Sequence, residues 1–427
     1  MNVKIIAGTD FQLTKQTDQR ERNQQLDKTV LEILRNVEQE GDQALLDYTK
    51  KFDKVRLHRL SLSEEEWKEA ENLVPETFIQ ALQTAKANIS NFHSGQLEKS
   101  WYMYPDHEVM LGQQVTAMDR VGIYIPGGKA AYPSTVLMNA IPAKIAGVKN
   151  ISITTPPQPD GKVNPYVIVA AKQAGIDTIY KVGGAQAIAA FAYGTESIPK
   201  VDKITGPGND FVARAKKWVY GDVAIDMIAG PSEICVVADH SAPIQFVAAD
   251  LLSQAEHDEA ATALCITFSN TQAQAVQAEV NEQLEQLERK EVAAAALQTN
   301  GRIIVVNNVI EAWHLVNEIA PEHLELMVEN ATEHVANIKH AGAIFLGNYS
   351  PEPLGDYTAG PNHTLPTSGT AKFSSPLGVY DFLKKSSIIR YSEQALLKEA
   401  SAIETLANTE GLTAHANAIT LRRKDEA

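Results

Sequence analysis

Short apolar segments rich in β-branched residues alternate with helical segments from about residue 150 onward, and this alternation limits the possible folds most strongly. Examples are the predicted strands at 151–154, 178–182 and 234–237, each followed by a helical pattern. Apolar strands that are connected through helices lie side by side in parallel sheets with helices on both faces. We therefore predict an α/β protein with two such units, at residues 124–231 and 232–377.

The segments on either side of these units have other patterns. Up to about residue 100 apolar residues recur mainly at three- and four-residue steps, which predicts a largely helical region that joins the 232–377 unit. Short strands rich in β-branched residues are predicted after it, at 109–111, 114–118 and 121–125. Residues 1–20 are expected to form an N-terminal arm. Residues 378–427 contain two amphipathic helical patterns and are expected to form a tail, which packs either on its own subunit or on a partner.

Charge and hydropathy exclude two classes of partner. The 427 residues carry a formal net charge of −15 and no basic cluster, so a nucleic-acid partner is not expected, and the basic end at Arg422 to Lys424 is expected to be solvated. No apolar run has the length of a bilayer, and the N-terminus lacks the pattern of a signal peptide, which favours a cytoplasmic protein without a membrane partner. Cys235 and Cys265 lie in apolar strand patterns and are expected to be core residues.

A helical stretch from Asp250 to Asp258 carries the first candidate metal ligands. Gln254 and His257 are three residues apart, and such residues share one face of a helix. An oxygen and a nitrogen donor make half a metal site, although a pair of this kind more often faces solvent. Asp356 and His415, at predicted loop or helix-start positions, would complete a set of donors suited to a divalent cation.

The adjacent Glu322 and His323 are candidates for acid–base chemistry. Histidine titrates near neutral pH, and a carboxylate beside it can activate water, although a solvated pair is the plain alternative. Ser232 follows a Gly-Pro turn without the sequence of a nucleophile elbow, so a hydrogen-bonding role is expected. His363 and Glu410 are further polar candidates in segments rich in Gly, Thr or Asn.

Three Gly-rich turns follow predicted strands, at 124–128, 182–186 and 206–209. Such turns lie where parallel sheets bind ligands, and glycine lets a phosphate or ribose approach the backbone. None of them has the G-x-G-x-x-G pattern, and tight turns need glycine in any α/β protein. Their number favours a nucleotide. The side chains available to contact it are Tyr124, Gln186 and Asn209.

Taken together, these segments resemble the histidinol dehydrogenase family from end to end. The most specific matches are SQAEHD at 253–258, PEHLE at 321–325 and AGPNHTLPT at 359–367. Others are VGIYIPGG at 121–128, GGAQAIAA at 183–190, ITGPGN at 204–209, AGPSE at 229–233 and EGLTAHANA at 410–418.

The resemblance implies a homodimer of subunits that each contain two incomplete Rossmann-like domains. Residues 21–123 and 232–377 would form the first domain, and residues 124–231 the second, NAD-binding domain. Residues 378–427 would be a helical dimerisation tail that is swapped between subunits, so that the active sites are shared.

The resemblance also implies the roles of the site residues. One zinc per subunit would be bound by Gln254, His257, Asp356 and, from the partner subunit, His415. Glu322 and His323 would be the acid–base pair. Ser232, His363 and Glu410, together with the zinc ligands and the acid–base pair, would contact substrate. Tyr124, Gln186 and Asn209 would contact NAD.

The implied reaction is the oxidation of L-histidinol to L-histidine through the aldehyde L-histidinal, with two NAD, the last step of histidine biosynthesis. His323 would be the general base, and Glu322 would activate water. Three alternatives stay open from the residues. They are a related zinc- and NAD-dependent alcohol dehydrogenase, a zinc hydrolase that uses Glu322, and a non-catalytic module with a structural zinc.

Overall fold

The computed structural model of the chain describes residues 3–12, 20–127 and 132–423, with every side chain except those of residues 20–23. Outside these ranges lie parts of three predicted features: residues 1–2 and 13–19 of the N-terminal arm, Gly128 of the first Gly-rich turn, and Lys424 of the basic end.

The helices alternate with strands through most of the chain, as the sequence predicts. The α-helices of the described residues are α1 (Arg20–Glu40), α2 (Asp42–Phe52), α3 (Glu64–Glu69), α4 (Glu76–Ser94), α5 (Pro133–Ala146), α6 (Pro165–Gln173), α7 (Gly184–Tyr193), α8 (Asp210–Val219), α9 (Ile244–Ala255), α10 (Asn270–Leu284), α11 (Lys290–Asn300), α12 (Val309–Ile319), α13 (Ala331–His334), α14 (Glu352–Tyr357), α15 (Glu393–Thr409) and α16 (Thr413–Arg423).

The strands of the described residues are β1 (Lys4–Ala7), β2 (Trp101–Asp106), β3 (Val109–Ala117), β4 (Arg120–Tyr124), β5 (Asn150–Thr154), β6 (Ile179–Tyr180), β7 (Lys203–Thr205), β8 (Ala224–Ile225), β9 (Glu233–Ala238), β10 (Thr262–Thr267), β11 (Arg302–Val305), β12 (His323–Met327), β13 (Ala343–Leu346) and β14 (Leu383–Tyr391).

Two parallel sheets form the body of the chain. One has five strands in the order β6-β5-β4-β7-β8, and the other has six in the order β1-β11-β10-β9-β12-β13. Their central strands, such as β4, β9, β10 and β12, are buried and mostly apolar, as strands covered by helices on both faces must be. The α/β class with largely parallel sheets is therefore confirmed. Within the predicted N-terminal arm, residues 1–20, β1 is an edge strand of the six-stranded sheet.

The N-terminal helices pack differently from the expectation. One hydrophobic core joins α1 and α2 to α7 and α8, which flank the five-stranded sheet. Val30, Val37 and Leu45 are buried in it beside Phe191. An apolar stripe shows that a helix is covered but not what covers it, so the predicted grouping of this region with the 232–377 unit does not follow from the stripe.

The chain divides into two compact units, residues 1–96 with 118–382 and residues 97–117 with 383–427. Both parallel sheets belong to the first unit. The second contains an antiparallel sheet in the order β14-β3-β2, with α15 and α16 packed on each other. β14 was missed because its Lys-rich and Ser-rich start lacks an apolar strand pattern. Over the described ranges, no helix combines the length and apolar character needed to span a bilayer.

Candidate active site

The predicted acid–base pair lies where β12 begins. After α12, Ala320 adopts a left-handed conformation with φ of 52°, and Pro321 leads directly into Glu322 and His323. β12 pairs with β9, which begins at Glu233. The Glu233 main-chain N–H donates to Glu322 Oε2 at 2.8 Å, and its carbonyl accepts from His323 Nδ1 at 3.0 Å. One peptide segment thus orients both side chains.

The contact to a carbonyl fixes the tautomer of His323. Because a carbonyl oxygen can only accept, Nδ1 carries the proton and Nε2 keeps its lone pair. Nε2 is buried without a hydrogen-bond partner among the described residues and lies 4.0 Å from Asp356 Oδ1. Burial lowers the pKa of His323 to about 4, so its imidazole is neutral at pH 7 and able to accept a proton.

Burial acts on Glu322 in the opposite direction. Desolvation raises the pKa of this carboxyl well above its ordinary value, with smaller increases from the charges of Glu233 and Asp356. A carboxylate with a raised pKa is a stronger base when ionised. Glu322 Oε2 lies 3.7 Å from His323 Nδ1, so the two candidate bases lie side by side in one buried site.

Three donors converge beside this pair. Single ligand atoms of His257, Glu352 and Asp356 all lie within 4.8 Å of one another, a spacing that suits one metal ion. His257 and Asp356 were predicted from the sequence, and Glu352 was not. Glu352 is one helical turn before Asp356 on α14, so the i,i+4 spacing was the signal that could have identified it.

Gln254 lies at the end of α9 and is fully buried. Neither its amide oxygen nor its amide nitrogen has a hydrogen-bond partner within the described part of the chain. The helix ends at Ala255, so the prediction that His257 shares its face was wrong. His257 follows in a turn, where its N–H donates to the Gln254 carbonyl at 3.2 Å, and its side chain is exposed.

The chemistry of this donor set fits a divalent cation. Burial raises the pKa of Asp356 to about 6 and that of Glu352 to about 8, with the nearby Asp356 charge adding to the shift of Glu352. Among the described residues, the Gln254 amide and Glu352 Oε1 are buried without a hydrogen-bond partner, which is unfavourable, and a cation would relieve that cost. Oxygen and imidazole nitrogen donors without cysteine suit zinc or a similar ion.

His363 borders the same cluster. Its Nδ1 donates to the Asp356 carbonyl at 3.0 Å, and its Nε2 lies 3.2 Å from the Thr135 hydroxyl near the start of α5. Burial lowers the pKa of His363 to about 4. Ser232 immediately precedes Glu233, and its carbonyl accepts from Thr262. Both predicted substrate contacts therefore lie near the acid–base pair in the fold.

Glu410 and His415 are the remaining predicted site residues. They belong to the second compact unit, at the end of α15 and near the start of α16, and both are exposed. The expectation that His415 completes the ligand set of a partner stays a prediction.

The three Gly-rich turns lie at the carboxyl ends of β4, β6 and β7 in the five-stranded sheet, which is where ligands bind in such sheets. The Gly184 N–H donates to the Tyr124 hydroxyl at 3.1 Å, and burial raises the pKa of Tyr124 to about 12. A Cβ at Gly206 would overlap the Tyr124 carbonyl, so only glycine allows this turn to lie so close to Tyr124. Asn209 caps α8 through its side-chain oxygen, which leaves its amide N–H₂ able to donate to a ligand.

Comparison with known proteins covers nearly the full chain. The family model described as histidinol dehydrogenase matches residues 16–423. A protein of that name from Oceanobacillus iheyensis is 59% identical over 405 residues, which cover 95% of each chain. One from Listeria monocytogenes is 53% identical over 427 residues, covering 99% of this chain and all of the relative. The crystal structure of histidinol dehydrogenase from Elizabethkingia anophelis has a TM-score of 0.92 at 40% identity and covers 99% of this chain and 98% of that one.

Proposed function

Because this chain belongs to the histidinol dehydrogenase family, we propose that it oxidises L-histidinol to L-histidine through L-histidinal, with two NAD. The observation that carries the proposal is the buried pair Glu322 and His323 beside the converging metal donors His257, Glu352 and Asp356. An alcohol-to-acid oxidation needs a base for the alcohol, a base for water and a fixed substrate. This arrangement supplies groups for all three.

Zinc would be bound by Gln254, His257 and Asp356 with His415 of the partner subunit, and Glu352 lies close enough to contribute a further oxygen. When bound, zinc supplies a fixed anchor for the imidazole and amine of the substrate. NAD would supply the hydride acceptor for each oxidation, and we assign its contacts to Tyr124, Gln186 and Asn209. Ser232, His363 and Glu410 would hold the substrate.

His323 accepts the proton of the substrate alcohol. Its Nε2 is the free base position, and Glu233 fixes the orientation of the ring. When the alcohol O–H proton moves to Nε2, one hydride leaves the carbon and the aldehyde remains. The neutral state of His323 at pH 7 follows from its lowered pKa.

Glu322 takes a proton from water as the water oxygen bonds to the aldehyde carbon. The former carbonyl oxygen takes the proton that His323 received from the alcohol, which gives the neutral hydrate and frees His323. The remaining C–H of the hydrate then leaves as the second hydride while a hydroxyl proton goes to His323, giving the acid. Burial excludes bulk water from the pair, so the aldehyde meets only the water that Glu322 activates.

The stoichiometry of NADH formation tests this reaction. We expect two NADH for each L-histidinol consumed, followed at the absorbance of NADH with limiting substrate. Chelation should stop the reaction, and added zinc should restore it. One NADH per substrate would identify a simple alcohol dehydrogenase instead, and hydrolysis without NADH would identify a hydrolase.

We also propose that the chain forms a homodimer in which residues 378–427 are a tail swapped between subunits. Each subunit would contain two incomplete Rossmann-like domains, one built on the five-stranded sheet with α1 and α2 and the other on the six-stranded sheet. The second compact unit supports an interface because Trp101, Tyr102 and Tyr104 of β2 are all exposed, the first two on opposite faces of the strand. Large apolar side chains left exposed along one strand mark an interaction surface.

Mixing two inactive variants tests the shared site. His257→Ala and His415→Ala subunits should each be nearly inactive, and subunit exchange between them should give heterodimers with one intact site. A random mixture contains about half heterodimers, so roughly a quarter of the wild-type activity is expected when each such dimer has one working site. The control mixes His257→Ala with Asp356→Ala. One subunit would supply both residues to each site, so neither site of the heterodimer is intact and no activity should be recovered. Equal recovery in both mixtures would contradict the swapped arrangement.

A further inference from the structure

A buried ion pair lies directly behind the third Gly-rich turn, residues 206–209. Lys216 of α8 and Asp226, just after β8, form it, and their side chains are 3% and 1% exposed. Lys216 is on a helix with a charged outer face, and a lysine is rarely buried without a specific partner. This burial needs an explanation beyond helix packing.

Both charges bind the same glycine. Lys216 Nζ donates to the Gly206 carbonyl at 2.9 Å, and Asp226 Oδ2 accepts from the Gly206 N–H at 2.8 Å. The remaining oxygen of Asp226 accepts from the Met227 N–H at 2.6 Å. Gly206 has φ of 113°, a conformation that other residues rarely adopt. The pair therefore holds the glycine at both of its peptide groups.

Gly206 in turn fixes the two neighbouring nucleotide positions. Its backbone packs on the carbonyl of Tyr124, and three residues later Asn209 begins α8. A shift of the Gly206 peptide would move the start of α8, and with it the Asn209 amide, away from Tyr124. Because charge-assisted hydrogen bonds are stronger than neutral ones, a buried ion pair holds this geometry more firmly than a neutral contact would.

From this geometry we infer that Lys216 and Asp226 are positioning residues for the nucleotide, which they hold in place through Gly206 without touching it. The inference rests on the proposed assignment of NAD to the turns that contain Tyr124 and Asn209. It predicts that the pair governs the affinity for NAD and not that for L-histidinol or zinc.

The test compares Lys216→Met with Lys203→Met in the full-length, zinc-loaded protein. Lys203 is also a buried lysine of this sheet, but its ammonium binds the carbonyl and carboxylate of Asp381. Lys216→Met should raise the NAD dissociation constant, measured by calorimetry, by about tenfold or more. The KM for L-histidinol and the zinc content should stay within about twofold of wild type. Lys203→Met should lower the thermal midpoint and leave NAD binding unchanged.

A single substitution leaves Asp226 buried without its cation, which can prevent folding. The double variant Lys216→Met with Asp226→Asn carries no unpaired charge, and the Asn oxygen can still accept from the Gly206 N–H. We expect it to fold and to bind NAD about tenfold more weakly. Wild-type NAD affinity in either folded variant would overturn the inference, as would an equal loss in Lys203→Met. Absence of NAD binding in the wild type would instead contradict the proposed function.

Discussion

Replacing His257 with Asn should remove zinc from the purified protein and lower turnover of L-histidinol by roughly 10³-fold or more, because the anchored substrate position depends on the metal. His257 is exposed in a turn after α9, so the loss of its ring creates no cavity and should leave the fold intact. Zinc content by atomic emission, turnover and the far-ultraviolet circular dichroism spectrum are the three measurements.

The matched control is His240→Asn. His240 is likewise exposed, but it follows β9. Its imidazole lies 3.5 Å from the Glu329 carboxylate and outside the donor cluster. This variant should keep its zinc and its activity. Full turnover in a zinc-free His257→Asn protein would mean that the donor cluster is not the metal site.

Replacing Glu322 with Gln should separate the two oxidations. We expect the oxidation of L-histidinal to fall by about 10²–10⁴-fold, the usual contribution of a general base, and that of L-histidinol to fall much less. The Gln amide oxygen can still accept from the Glu233 N–H, so the peptide that orients His323 should not move. The loss then reports the missing base and not a displaced ring. Single-turnover NADH formation with each substrate gives the two rates.

Glu329→Gln is the control for this substitution. Glu329 follows the other end of β12 and is exposed, so its carboxylate has no access to the acid–base pair. We expect both oxidations at wild-type rates in this variant. Equal losses in the two oxidations of Glu322→Gln would contradict a role in activating water.

The parallel sheets could be predicted from the sequence because buried strands are continuous apolar runs, as in Ile234–Val237 of β9. β14 could not, since residues such as Lys384 and Lys385 lie on a mostly exposed antiparallel strand, and their sequence resembles that of a loop. The helices against which α1 and α2 pack could not be predicted either. An amphipathic stripe specifies one buried face but leaves the choice among several apolar surfaces to the tertiary fold.

The candidate site shows the same limit. The pairing of Glu322 with His323 is visible as a dipeptide, and the roles of the dispersed residues came from the family resemblance. Glu352 and Lys216 were missed because an acid early in a helix and a lysine on an amphipathic helix are ordinarily solvated. Only the tertiary structure shows that Glu352 lies beside Asp356 and that Lys216 binds Gly206.

The three-residue connection from α12 to β12 also constrains how this family can diverge. Glu322 ends this connection and His323 begins β12, and both side chains bind the one peptide segment of Glu233. A residue inserted between them would leave only one of the two within reach of Glu233. Surface loops commonly vary in length among homologues, but we expect family members to keep these two residues adjacent.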